Sequence, residues 1–200
     1  MKFLHLDSCA LGDHSASRRF TAQVVAALVA DNAAPVEYRD LAATSLSHVS
    51  APLLQVMRGH WDASLPMNAE LRAEVLQAEV LLQEFLEADV IVLGAPMYNF
   101  AMPSRLKSWL DRILQAGRTY NVSSPDARAI LKNKQVLIVS SMCSHLDVSH
   151  EMKLLDSHEL HLHTLFSNMG IERVKAIRTD QWNGRVETFN EWCEDLLEAA

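Results

Sequence analysis

The chain has 200 residues, 49% of them hydrophobic, with a formal net charge of −7. That length and apolar content suit one compact domain with a sizeable core. The negative balance, with Lys and Arg scattered and no basic run, argues against a nucleic-acid partner, whose phosphates need clustered cations.

Strands and amphipathic helices alternate almost from end to end. Lys2 to Leu6 is apolar enough for a buried strand, and the start reads as a strand rather than a signal peptide. Ser15 to Ala30 places Phe20, Val24, Ala27 and Leu28 at helical spacing, with Ser15 as N-cap. Val36 to Arg39 reads as a short second strand. Leu41 to Met67 has no clear period and contains Pro52, Gly59 and Pro66, a long excursion with one helix around Leu53 to Met57. Asn68 to Glu87, rich in Ala, Leu, Glu and Gln, is strongly helical.

Asp89 to Gly94 is the clearest central strand, apolar on both faces as parallel strands are. Ser104 to Gln115 follows as a helix striped by Leu106, Trp109, Leu110, Ile113 and Leu114. Gln135 to Ser140 is another continuous apolar strand. Met152 to Met169 is expected to be a helix stopped by Gly170, and Ile171 to Ile177 the last strand. Phe189, Trp192, Cys193, Leu196 and Leu197 mark a closing helix. Five strands separated by helices imply a parallel sheet covered on both faces, because parallel strands need long crossovers. One domain over residues 1–200 is expected, with no apolar run long enough to span a bilayer.

Ligands of open α/β sheets lie beyond the carboxyl ends of the strands, where strand order reverses. Three loops fall there: Asp7 to Ser17, Ala95 to Pro103, and Ser140 to Asp147. In the first, Ser15 and Ser17 open a helix, where free N–H groups and hydroxyls suit a phosphate; simple helix capping is the competing account. In the second, Met97, Tyr98 and Phe100 offer a bed for a planar apolar ring; a well-packed turn is the competing account.

The run APMYNF (residues 95–100), the helix residues PSRLKSWLD (103–111) and the turn Gly117-Arg118-Thr119-Tyr120 resemble the FMN-dependent NAD(P)H azoreductase and quinone reductase family. Ser15-Ala16-Ser17-Arg18 is similar to that family's phosphate loop, and the likeness covers most of the chain. It implies a flavodoxin-like, doubly wound five-stranded fold and a homodimer with FMN near the subunit interface. It also implies two-step traffic from NADH or NADPH through the flavin to an azo compound, quinone or similar small aromatic acceptor. By position, the resemblance gives Ser15 and Ser17 to the FMN phosphate, with Cys9 where relatives carry another phosphate-binding Ser. Pro96, Met97, Tyr98, Asn99 and Phe100 would cradle the isoalloxazine, and Tyr120 would line the substrate side.

The third loop departs from the pattern. Relatives read Ser-Arg-Gly-Gly, and this chain has Ser140-Ser141-Met142-Cys143, so glycine's close backbone approach to the ring edge is lost. His145 aligns with a loop position near the flavin in relatives, a candidate to hydrogen-bond the ring or donate a proton.

Three cysteines, odd in number and far apart, fit neither a disulfide framework nor a zinc site. A reducing cytoplasm is the expected compartment. Cys143 is read as a packing residue and Trp61 as a core residue. His158, His161 and His163 are assigned to the surface or an interface, because no ligand set is completed around them. The expected activity is an FMN oxidoreductase working by alternating substrates. The alternatives are a diverged binder without redox turnover, motivated by Met142 and Cys143, or a flavoenzyme dedicated to one metabolite.

Overall fold

The computed structural model describes residues 1–30, 34–43, 46–121, 130–142 and 148–179, with backbone alone over 148–152. The expected closing helix, Cys143 and His145 lie outside the described residues. The chain order is β1 (Phe3–Asp7), α1 (Ala16–Val29), β2 (Val36–Asp40), α2 (Ala51–Met57), α3 (Ala69–Glu87), β3 (Val90–Pro96), α4 (Ser104–Ile113), β4 (Gln135–Ser141), α5 (Val148–Asn168) and β5 (Arg173–Arg178). All four strand pairings are parallel, in the order β2-β1-β3-β4-β5. This is the flavodoxin-like order, and it reverses direction between β1 and β3.

Alternation along the strands builds two cores. Leu4, Leu6, Ile91, Leu93, Val136 and Ile138 face one way and pack on α3, α4 and α5, where Phe85 meets Trp109 edge-on at 5.8 Å. Phe3, Val90, Val92, Leu137 and Val139 face the other way, against Phe20, Val24, Val25 and Leu28 of α1. The central strands β1 and β3 are buried on both faces, whereas β2 keeps a half-open edge. Three helix starts use the cap that their sequence supplies: Ser15, Ser50 and Asn68 each accept from the backbone N–H three residues on, whereas α4 opens on Pro103 without a side-chain cap. Gly170, at φ 90°, ends the α5 segment as expected.

Gly94 carries the switch point. A Cβ there would stand 2.8 Å from Asp7 Oδ1, so only glycine lets β3 pass the buried Asp7 carboxylate at this register. In the long excursion, Trp61 is partly buried against a satellite cluster around Leu53, Leu71 and Ala78. Among the described residues no helix is long and apolar enough to cross a membrane.

Candidate cofactor site at the switch point

The loop after β1 is drawn tight by its own polar groups. Ser8 donates to the Gly94 carbonyl at 2.6 Å and fixes the loop's root to β3. Ser15 caps α1 by accepting from Arg18 N at 3.1 Å, and its Oγ lies 3.0 Å from Ser17 Oγ. Both serines are buried at the first turn of α1, where the leading N–H groups have no intrahelical acceptor and the helix dipole is positive. Arg18 supplies no free cation. Its Nη1 donates to Asp40 at 2.7 Å, and that hydrogen bond raises its pKa above the usual arginine value. Its Nη2 reaches the Cys9 carbonyl at 3.3 Å and ties the loop to the end of β2.

The loop after β3 is built differently. Pro96 and Met97 are buried, and Met97 N donates to the Ser141 carbonyl at 2.8 Å. Tyr98 and Ala101 then exchange two backbone bonds, 2.7 and 2.9 Å, around a two-residue turn. Both central residues have positive φ, Asn99 at 46° and Phe100 at 68°. Asparagine tolerates that region; phenylalanine does so at a cost of about 1–2 kcal/mol. Phe100 is also 57% exposed, so among the described residues it gains little burial to offset that cost. Strain of this kind persists where surrounding contacts over-determine it, and it concentrates at ligand sites.

Tyr98 joins the two loops. Its Oη accepts from Ala10 N at 2.9 Å and lies 2.9 Å from the buried Cys9 Sγ. Cys9 therefore faces the tyrosine of the loop after β3. Ser140 is fully buried, and its hydroxyl donates to Glu159. Ser141 and Met142 are partly buried at the rim.

Tyr120 lies elsewhere. It sits on the turn after α4 and lines a cleft of about 790 Å³ with Met57, Arg58, His60, Asp111 and Gln115, and among the described residues none from the loops after β1, β3 and β4 shares that cleft. Arg118 holds this turn to α3 by a two-pronged ion pair to Glu79, 2.6 and 2.7 Å; that bond lowers the Glu79 pKa to about 2. The structure thus brings Cys9, Ser15, Ser17, the Pro96–Phe100 run and the Ser140–Met142 rim to one sheet edge, and keeps Tyr120 apart.

His158 differs from its sequence assignment. It is buried, 4% exposed, rather than at the surface, with Nε2 3.0 Å from the Ala95 carbonyl. The signal was present in the spacing, since Leu155, His158 and Leu162 lie on one stripe of α5.

Comparison with known proteins agrees with this geometry. The model of a family described as having a flavodoxin-like fold matches residues 1–199. An FMN-dependent NADH:quinone oxidoreductase 1 of Cupriavidus pinatubonensis is 43% identical over 179 residues, covering 89% of this chain and 84% of the relative. An FMN-dependent NADH:quinone oxidoreductase of Sinorhizobium medicae is 39% identical over 185 residues, 92% of this chain and 87% of the relative. An FMN-dependent NADH-azoreductase from Bacillus anthracis, solved in complex with FMN, superposes with a TM-score of 0.80 at 18% identity, over 98% of each chain. The chain belongs to the flavodoxin-like family, in the branch that holds the FMN-dependent NADH:quinone oxidoreductases.

Proposed function

We propose that this protein is an FMN-dependent oxidoreductase that takes electrons from NADH and delivers them to a quinone, azo compound or similar small aromatic acceptor. The observation that carries the reading is the Tyr98–Ala101 turn, where an exposed Phe100 is held at positive φ on the rim of the switch-point crevice. A planar ring laid there would gain the apolar contact that the strained phenylalanine lacks.

The residues present suit the cofactor. Ser15, Ser17 and the leading amides of α1 form an uncharged donor set matched to a phosphate monoester. Cys9, with its sulfur against Tyr98, braces the loop between them. Pro96, Met97, Tyr98, Asn99 and Phe100 would support the ring, with Ser140, Ser141, Met142 and Cys143 along its edge. When bound, FMN supplies the reversible two-electron chemistry, and the chain binds, orients and excludes water. A turn that covers one side of a planar ring leaves one side for donor and acceptor in succession, which predicts ping-pong kinetics. His145, between β4 and α5 in the sequence, is the candidate proton donor.

A homodimer belongs to the same reading. Tyr120 lines a cleft that is separate from the ring loops of its own chain, so a second copy would have to carry it to the acceptor side. The buried thiol of Cys9 suits a reducing cytoplasm.

Anaerobic stopped-flow mixing of FMN-loaded protein with NADH, and separately with NADPH, tests the proposal. Rapid bleaching of the visible flavin band, reversed by a quinone, is expected. A colourless protein that refuses FMN in titration would instead favour the diverged binder. Bleaching without turnover of generic quinones and azo dyes would favour a dedicated metabolite.

A further inference from the structure

Two adjacent residues of α5, His158 and Glu159, reach the carboxyl ends of different strands. His158 stands in the apolar stripe with Leu155, Leu162 and Phe166, yet its Nε2 is 3.0 Å from the carbonyl of Ala95. Ala95 immediately precedes Pro96 and pairs in register with Ser140 of β4. Glu159 accepts from the Ser140 hydroxyl, and from Arg178 Nε at 2.8 Å and Nη2 at 2.6 Å. Arg178 ends β5 and also donates to Asp156. Two consecutive side chains thereby tie β3, β4 and β5 where the ring-facing loops depart.

The chemistry of the histidine is settled by its partner. A carbonyl only accepts, so Nε2 carries the proton and donates. Burial pushes the imidazole pKa below its ordinary value, which keeps the ring neutral in that tautomer. A leucine would fill the same stripe without a polar atom to satisfy, so packing alone gives no reason for an imidazole here.

We propose that His158 is a positioning residue for the cofactor ring: its bond to Ala95 fixes how Pro96 leads into the strained Asn99–Phe100 turn, while Glu159 fixes the facing end of β4. The assignment rests on the FMN reading of that turn. A phenylalanine at positive φ persists where contacts around the turn over-determine it. The root of this turn is the Ala95–Met97 segment, gripped by Ser141 on one side and His158 on the other.

The test compares wild type, His158→Leu and His158→Gln. The readouts are FMN affinity by quenching of flavin fluorescence, the shape of the bound flavin's visible spectrum, the flavin potential and the apoprotein Tm. Glutamine keeps an N–H donor of similar reach. Wild type should bind FMN; H158L should bind about tenfold more weakly with an altered spectrum and potential, as loss of one buried hydrogen bond implies. H158Q should recover the affinity to within about threefold and restore the wild-type spectrum and potential. H158L with a lowered Tm but unchanged FMN affinity, spectrum and potential would reduce His158 to a core residue and overturn the proposal. Should H158L not fold, His158→Asn, whose amide is too short to reach Ala95, carries the same comparison. If neither folds, the bond is a determinant of the fold and the positioning role is wrong. Wild type that takes up no FMN would remove the functional reading itself, a result distinct from equal binding by wild type and H158L.

Discussion

The loops after β1 and after β3 stand side by side at one sheet edge and are stabilised in opposite ways. The β1 loop is closed by hydroxyl, thiol and guanidinium contacts, its three serines, Ser8, Ser15 and Ser17, are buried, and its one residue at positive φ is Gly12. The β3 loop is apolar, and it holds an exposed phenylalanine in a backbone region that phenylalanine avoids. The difference follows from what each end would grip. A phosphate is held by donors fixed in advance, which local hydrogen bonding can set. A flat ring is held by surface, and a surface that must stay open before binding cannot be stabilised by burial.

Three perturbations sharpen or break that contrast. The largest effect is expected from Ser17→Ala. Loss of a donor to a charged group costs about 1.5–3 kcal/mol, so FMN affinity should fall about ten- to hundredfold. Riboflavin, which lacks the phosphate, should bind wild type and variant alike; an equal loss for both ligands would show that Ser17 shapes the loop rather than contacting the phosphate.

A smaller effect of opposite sign is expected from Phe100→Gly. Release of the positive-φ strain, less the extra chain entropy of glycine, should stabilise the apoprotein by about 0.5–1 kcal/mol in urea unfolding. FMN affinity should drop in the same variant. An apoprotein made less stable would mean that the turn stores no strain, and the two loops would not differ in the way described.

The smallest effect is a pH dependence confined to the ring end. Burial depresses the His158 pKa below 6.5, so the folded state prefers the neutral ring. Its contribution is present above the unfolded value and is lost as pH falls through about 6.5, because the unfolded chain then takes up a proton that the folded chain resists. Urea midpoints should therefore decline from pH 7.5 to pH 5.5 in wild type and decline less in H158Q. Equal declines would assign the effect to other groups.

These residues also show what was readable before folding. Ser15 and Ser17 were legible because an N-cap and its first turn are local: four or five residues decide them. Strands β1, β3 and β4 were legible from apolar runs, β2 and β5 as short segments between helical stretches, and the α5 stop from Gly170. The strained turn was not, because Asn99 permits positive φ but Phe100 gives no sign of it; the closure of Tyr98 on Ala101 and of Met97 on Ser141 imposes it. His158 was misplaced for a related reason. It was grouped with His161 and His163 by closeness in sequence, whereas its helical face belongs with Leu155 and Leu162, and its carbonyl partner lies 63 residues away.

The sequence by itself determined the alternation of strand and helix, the capped start of α1 and the family motif around residues 95–100, since each rests on short-range periodicity or on a contiguous run. Tertiary structure alone decided the strand order, the Gly94–Asp7 approach, the Cys9–Tyr98 bridge and the clamp of α5 on three strand ends. Those features join residues that are tens of positions apart, and which of the many possible distant partners meet is fixed only when the sheet packs as a whole.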